Sequence, residues 1–166
     1  MRQSEDYRRG RHVVSALNVH LVFVTKYRRG VLTGDHLDLL CEVFTEVCAD
    51  FGARLVECNG EDDHVHLLVT YPPQVAVSRL VNSLKGVSSR RLRQHYRVRT
   101  HREHLWSPSY FAASAGGAPL ETLQAYIRQQ RTPDDRASPA LNGEACARWI
   151  RVKSPAASAS TPPIGR

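Results

Sequence analysis

Polar and apolar residues alternate from Leu17 to Thr25, where LNVHLVFVT sends Leu17, Val19, Leu21 and Phe23 to one face. A two-residue period built from β-branched and aromatic side chains predicts a strand. The period then changes. Over residues 35–51, Leu37, Leu40, Cys41, Phe44, Val47, Cys48 and Phe51 recur every three or four positions, which is the spacing of one helical face. Gly34 and Asp35 are expected to start that helix. Two more apolar runs, at 54–58 and 64–71, flank the turn-forming Asn59-Gly60-Glu61-Asp62-Asp63 and predict a hairpin. Pro72-Pro73 ends the second run. Over residues 75–96, Val77, Leu80, Val81, Leu84 and Val87 predict a second helix, with Gly86 marking a potential break.

Residues 105–113, with Trp106, Tyr110 and Phe111, read as a short strand. After Ser114-Ala115-Gly116-Gly117-Ala118, residues 119–130 return to helical spacing, and Pro119 suits a first helical turn. The first six elements follow the split βαβ, ferredoxin-like order of an α+β domain, an antiparallel sheet with helices on one face, here extended by a C-terminal helix. The chain divides into an N-terminal extension at 1–16, a domain at 17–131 and a tail at 132–166. That tail is rich in Pro, Ala, Ser and Thr, only Trp149-Ile150 offers packing surface, and it is expected to stay mostly disordered.

With 166 residues the chain has room for one ordinary domain and a tail. Lys and Arg number 23 against 16 acidic residues, a formal charge of +7, so the expected partner is polyanionic and nucleic acid comes first. A membrane comes second. No apolar run approaches the roughly 20 residues of a spanning helix, and the start MRQSEDYRRGRH lacks an apolar signal core, so a cytoplasmic protein is expected. Among the four cysteines, Cys41 and Cys48 lie seven apart on one predicted helix face as small buried groups, Cys58 falls in a strand and Cys146 in the tail. With no close CxxC pair and no dense disulfide pattern, reduced thiols are expected.

His64-Val65-His66 lies within a predicted strand, so both imidazoles project from one face. Two ligands make half of a metal site, and a lone His-x-His also fits histidines lining a wet sheet face. Tyr126 and Gln130 are four apart in the last helix, next to Leu120, Leu123 and Ile127; a tyrosine there commonly just packs. Together the two signals gain weight, because phosphodiester chemistry needs a nucleophile, a cation and a grip on the strand. A Gln130 amide oxygen would complete a His-His-Gln set suited to Mg²⁺ or Mn²⁺ rather than to tightly bound zinc.

The residues now carry a family resemblance. HLVFVTKYR at 20–28, DHVHLL at 63–68, LKG with SSRRLR at 84–93, LWSPSYF at 105–111 and YIRQQ at 126–130 occur in order and at matching spacing. In these the chain resembles the single-tyrosine HUH transposases of the insertion-sequence-two-hundred type, often called TnpA. The resemblance implies His64, His66 and Gln130 as metal ligands, and Tyr126 as the nucleophile forming a 5′-phosphotyrosine. It further implies a homodimer whose catalytic helix packs against the partner's metal site, acting on single-stranded DNA with hairpins near transposon ends. Asp63 matches the pattern as an acceptor orienting a histidine, although a turn-capping Asp fits equally. Glu61-Asp62 departs from the family, which often has an apolar residue and Pro there.

Gly116-Gly117 would let the last helix shift during strand exchange, or would simply form a turn. DNA contacts are expected from Lys26, Arg28 and Arg29 and, along the second helix, from Arg79, Lys85, Arg90, Arg91 and Arg93. Tyr27 is expected to pack, with base stacking as the other reading, and Tyr110 is expected in the core. Two other readings remain. A domesticated relative would act with the same chemistry on repetitive palindromic DNA, and a non-catalytic RNA-binding module would share the fold, but no K/R-G-F/Y-G/A-F-V-x-F/Y run occurs.

Overall fold

Strand β3 (Asn18–Val24) and strand β5 (His64–Thr70) pair along their whole length, from Asn18 with Thr70 to Val24 with His64. They form the centre of a sheet in the computed structural model, which describes residues 7–98, 104–115 and Ala125. Strands β4 (Arg54–Gly60) and β6 (Phe111–Ser114) flank them in the order β4-β5-β3-β6, all antiparallel. Strand β5 thus lies between β3 and β4, and β3 between β5 and β6. This is the split βαβ arrangement expected, with helix α1 (Gly34–Asp50) joining β3 to β4 and helix α2 (Val77–His95) joining β5 to β6.

Alternation decides what each face does. Val19, Leu21 and Phe23 of β3 and Val65, Leu67 and Val69 of β5 join the core with Leu40, Val43, Phe44 and Val47 of α1 and Leu80, Val81, Leu84 and Leu92 of α2. The alternate positions, His20, Val22 and Val24 of β3 with His64, His66, Leu68 and Thr70 of β5, point to the other face and are buried as well.

Helix α1 starts at Gly34, the first residue of the expected pair. Thr33 is its N-cap, with the Thr33 side chain accepting from the His36 backbone and the His36 ring accepting from the Thr33 backbone. A histidine thus closes the capping box where Glu or Gln is usual, which is why the sequence pattern did not show it. Past the other end, Gly52 takes a φ of 63°, the left-handed conformation that glycine adopts without a side-chain clash. Helix α2 runs unbroken through Gly86, because one interior glycine costs too little to end a helix that buries a continuous apolar stripe.

Three features lie outside the expected pattern. Strands β1 (Arg8–Arg9) and β2 (Val14–Ser15) form a small hairpin in the N-terminal extension, tied to the body by the Arg8 guanidinium donating to the Gly52 carbonyl at 2.6 Å. The run at 105–113 is not one strand. Trp106 bridges Thr25, then residues 107–110 loop out before β6 begins. Inside, the Trp106 indole donates to Ser88 Oγ at 2.9 Å, which accounts for a fully buried serine on the apolar stripe of α2.

The cysteine expectation is overturned at one pair. Cys41 and Cys58 form a disulfide with their Cα atoms 5.9 Å apart. Seven-residue spacing put Cys41 beside Cys48, but β4 packs against α1 and brings Cys58 opposite Cys41, a tertiary proximity that local periodicity does not encode. Cys48 keeps the expected role as a buried thiol, and burial pushes it up to about 12. Tyr110 packs against the core as expected. No helix among the described residues is long and apolar enough to cross a membrane.

Candidate metal centre and strand-transfer site

The two histidines of β5 are held differently, and both holds leave the same ring nitrogen for a ligand. His64 Nδ1 lies 2.6 Å from Asp63 Oδ1. Asp63 Oδ2 accepts from Arg28, whose Nε is 2.7 Å away and whose terminal nitrogen also pairs with it. Burial alone would raise the Asp63 pKa, yet hydrogen bonds and positive charge from His64 and Arg28 bring it below the usual carboxylate range. An ionised Asp63 therefore orients the His64 ring and favours the Nδ1 proton, leaving Nε2 as the lone-pair donor.

His66 meets His20. Their register places His20 opposite Leu68 and His66 opposite Val22, so the two rings are diagonal neighbours on the face away from the helices. Their rings stack at 5.3 Å and 19°, with His20 Nε2 3.1 Å from His66 Nδ1. Burial lowers His20 to about 4. His66 falls well below the ordinary histidine value, first through burial and then through the charges of His20 and His64. Both rings are thus neutral near pH 7, and a neutral imidazole is the metal-binding form. If His66 Nδ1 donates to His20 Nε2, then His66 Nε2 carries the free lone pair.

His64 and His66 thus present two Nε2 atoms from one strand face, with ring centroids 5.0 Å apart. Two carboxylates lie beside His64. Glu61, Asp63 and His64 each offer a ligand atom within 4.8 Å of the others. Both Asp63 oxygens are engaged by His64 and Arg28, so the exposed Glu61 is the acid left to reach a cation. Hard divalent ions favour such oxygen and imidazole donors, and the cluster is compatible with one.

The loop before α1 fixes this end of the sheet. Thr25 N donates to the Asp63 carbonyl at 2.8 Å and Leu32 N to the Asp62 carbonyl at 2.9 Å. The sheet, by contrast, separates several expected DNA contacts from the imidazoles. Arg79, Arg90, Arg91 and Arg93 stand on α2, in the layer behind the histidine face. Arg91 pairs with Glu46 at 2.8 Å, Arg93 Nε donates to Ser89 O, and Arg79 lies over the Phe51 ring. Lys85 Nζ donates to the carbonyls of Ser107 at 2.7 Å and Pro108 at 3.1 Å, holding the outlooping segment down. Arg28 is likewise occupied by Asp63. Lys26 sits over the Tyr27 ring at 5.6 Å, and Arg29 is exposed. Tyr126, Gln130, Gly116 and Gly117 lie outside the described residues, although Ala125 beside Tyr126 is helical. His20 was not singled out from sequence; its place on the strand face opposite Leu21 and Phe23 was the available signal.

Comparison with known proteins finds relatives of one family. The chain is 33% identical over 128 residues to the ISDra2 transposase TnpA of Deinococcus radiodurans, a match spanning 75% of this chain and 91% of that protein. It is 28% identical over 118 residues to the transposase for insertion sequence element IS200 of Salmonella typhimurium, spanning 69% and 77%. Among solved structures, a protein of Deinococcus radiodurans described as a transposase superposes with a TM-score of 0.60 at 31% identity, over 74% of this chain and 97% of that one. A REP-associated tyrosine transposase bound to a REP hairpin shares the fold at a TM-score of 0.52 and 12% identity, over 96% of each chain. The model of the IS200-like transposase family matches residues 13–130, a span that contains the paired imidazoles, Tyr126 and Gln130, and the chain belongs to that family.

Proposed function

We propose that this transposase cuts and rejoins single-stranded DNA at transposon ends through a covalent bond to Tyr126, with a divalent cation, Mg²⁺ or Mn²⁺, held by His64, His66 and Gln130. The observation that carries the reading is the pair of Nε2 atoms on one strand face, each left available because Asp63 and His20 occupy the Nδ1 atoms. Two imidazoles and an amide oxygen suit an ion that must bind and still leave room for a phosphate. A cation there supplies Lewis-acid polarisation of the scissile phosphate.

The chain's own groups do the rest. Tyr126 loses its proton, its phenolate oxygen attacks phosphorus, and the P–O3′ bond breaks, so that the 3′ oxygen leaves and takes up a proton. The 5′-phosphotyrosine that results conserves the energy of the broken bond, and attack by a 3′-hydroxyl on it reseals DNA without ATP. This agrees with a sequence that has no GxxxxGK[ST] phosphate loop. A phenol titrates near pH 10 in water, so the site must favour its ionised form. DNA as partner is supported by the +7 charge and by the hairpin bound to the REP-associated neighbour. We further assign a homodimer in which the helix bearing Tyr126 serves the partner's imidazoles, and a domain over 17–131.

The test is covalent capture. Wild-type protein incubated with single-stranded element-end DNA and Mg²⁺ or Mn²⁺ is expected to give a denaturation-resistant adduct. Tyr126→Phe should abolish it while retaining DNA binding, and His64→Ala should reduce it at least 100-fold, on the order expected for loss of a metal ligand. A normal adduct from Tyr126→Phe would refute the assignment.

A further inference from the structure

Tyr27 occupies a turn that ought to disfavour it. Tyr27 and Arg28 both have left-handed backbone conformations, with φ of 59° and 48°, in a region that side-chain-bearing residues seldom occupy. Such strain persists only where surrounding contacts over-determine it, and here they do. Thr25 Oγ1 donates to the Arg29 carbonyl at 2.8 Å, while Arg28 N donates back to the Thr25 carbonyl at 2.9 Å and Val31 N to the Arg29 carbonyl at 2.9 Å. Gly30 is packed so closely on Asp62 that a Cβ there would lie 2.5 Å from its carboxylate. The turn is thereby locked onto the 61–63 loop.

What the turn displays is an aromatic ring. Tyr27 is 57% exposed, against the expectation that it would pack. On either side of it, Thr25 and Arg28 are bonded to Asp63, the residue that orients His64. Tyr27 is thus one residue along the chain from a side chain that reaches the imidazole site. Lys26 Nζ lies 5.6 Å from the ring centroid, and the following Arg29 is exposed. An exposed ring with one cation against it and a second exposed cation two residues on is a combination by which single strands are held, since bases stack on rings while cations meet phosphates.

We propose that Tyr27 is a stacking platform for a nucleobase of the strand at the mouth of the His64–His66 site. This rests on the DNA strand-transfer reading. Tyr27 acts through the face of its ring, holding the strand beside the imidazoles, and takes no part in bond making.

The left-handed backbone supplies a favourable control, because glycine adopts that conformation without strain. Tyr27→Gly removes the ring and relieves the left-handed strain, and a melting curve recorded beside the titration shows whether the fold is kept, which separates lost binding from misfolding. The probe is a short single-stranded oligonucleotide with a fluorescent adenine analogue at its adenine positions, titrated without divalent cation. Wild type and Tyr27→Phe should quench the fluorescence equally, whereas Tyr27→Gly should lose that quench and bind roughly ten-fold more weakly, within the range found for loss of one base–aromatic stack. The proposal is overturned if Tyr27→Gly quenches and binds like wild type. It is equally overturned if Tyr27→Phe loses as much as Tyr27→Gly, since the phenol oxygen would then be the active group. The adduct assay run in parallel separates the two readings. A Tyr27-dependent quench with no wild-type adduct removes strand transfer and keeps the platform; an adduct from wild type with a quench indifferent to Tyr27 does the reverse.

Discussion

His66 is oriented by another imidazole, whereas His64 is oriented by a carboxylate that is itself pinned by Arg28. A carboxylate can only accept, so it fixes the His64 tautomer. An imidazole can give or take, so His20 leaves the His66 tautomer to be settled by which nitrogen meets a cation. Removing His20 should therefore harm metal binding without removing a ligand. His20→Ala is expected to weaken Mn²⁺ affinity by about 10–100-fold, the usual effect of losing an outer partner, and His20→Gln, which can still accept from His66, should recover part of it. Calorimetric Mn²⁺ titration checks this, and unchanged affinity in His20→Ala would remove His20 from the site. His64 and His66 were legible because strand alternation is local and fixed, placing both rings on one face whatever the rest of the chain does. His20 depended on strand register, which sets a diagonal contact across 46 positions of sequence.

The elements that strict periodicity marked, β3, α1, β4, β5 and α2, stand where the pattern predicted, since each packs an apolar set between the sheet and the helices and slipping a strand by one residue would turn that set to the opposite face. The exceptions have local physical causes. Strand β6 is short and half-buried, and its approach is interrupted by the loop that Lys85 clamps, so no sustained alternation exists to be seen. The β1–β2 hairpin has strands of two residues each, too short for any period. Gly86 gives a sharp test of α2. A Cβ at that position would meet nothing within 4 Å, so Gly86→Ala should gain the helix propensity difference without a clash, stabilising the fold by about 0.5–1 kcal/mol in urea unfolding. Destabilisation would mean that the glycine serves some motion of the helix. The link between α1 and β4 gives a test of opposite sign. The Cys41–Cys58 disulfide closes a loop of 17 residues' separation, for which chain-entropy arguments give about 3 kcal/mol. Reductant should lower the melting temperature of the wild type and leave a Cys41→Ser, Cys58→Ser variant unmoved.

For the whole molecule, the sheet divides the labour. Both helices and most of the basic residues expected to touch DNA lie behind it, whereas the imidazoles and the Tyr27 turn occupy the other face and its end. A strand bound at the imidazoles of one subunit would not reach the α2 arginines of that subunit without passing around an edge, so those arginines are better placed to meet DNA approaching from elsewhere in an assembly. The proposed homodimer supplies such an assembly, and exchange of the Tyr126 helix between subunits makes a prediction that a monomeric site cannot mimic. Mix inactive His64→Ala with inactive Tyr126→Phe under conditions that let subunits exchange. If each site takes its imidazoles from one subunit and its tyrosine from the other, a mixed dimer holds one site with both defects and one with neither. Random pairing makes half of the dimers mixed, so adduct formation should return to about a quarter of the wild-type level. If each subunit uses its own tyrosine, every site in the mixture carries one defect, and no adduct should return. Recovery near a quarter therefore establishes both the dimer and the exchange of its helix in one measurement, while silence from a mixture shown to contain mixed dimers assigns Tyr126 to the imidazoles of its own chain.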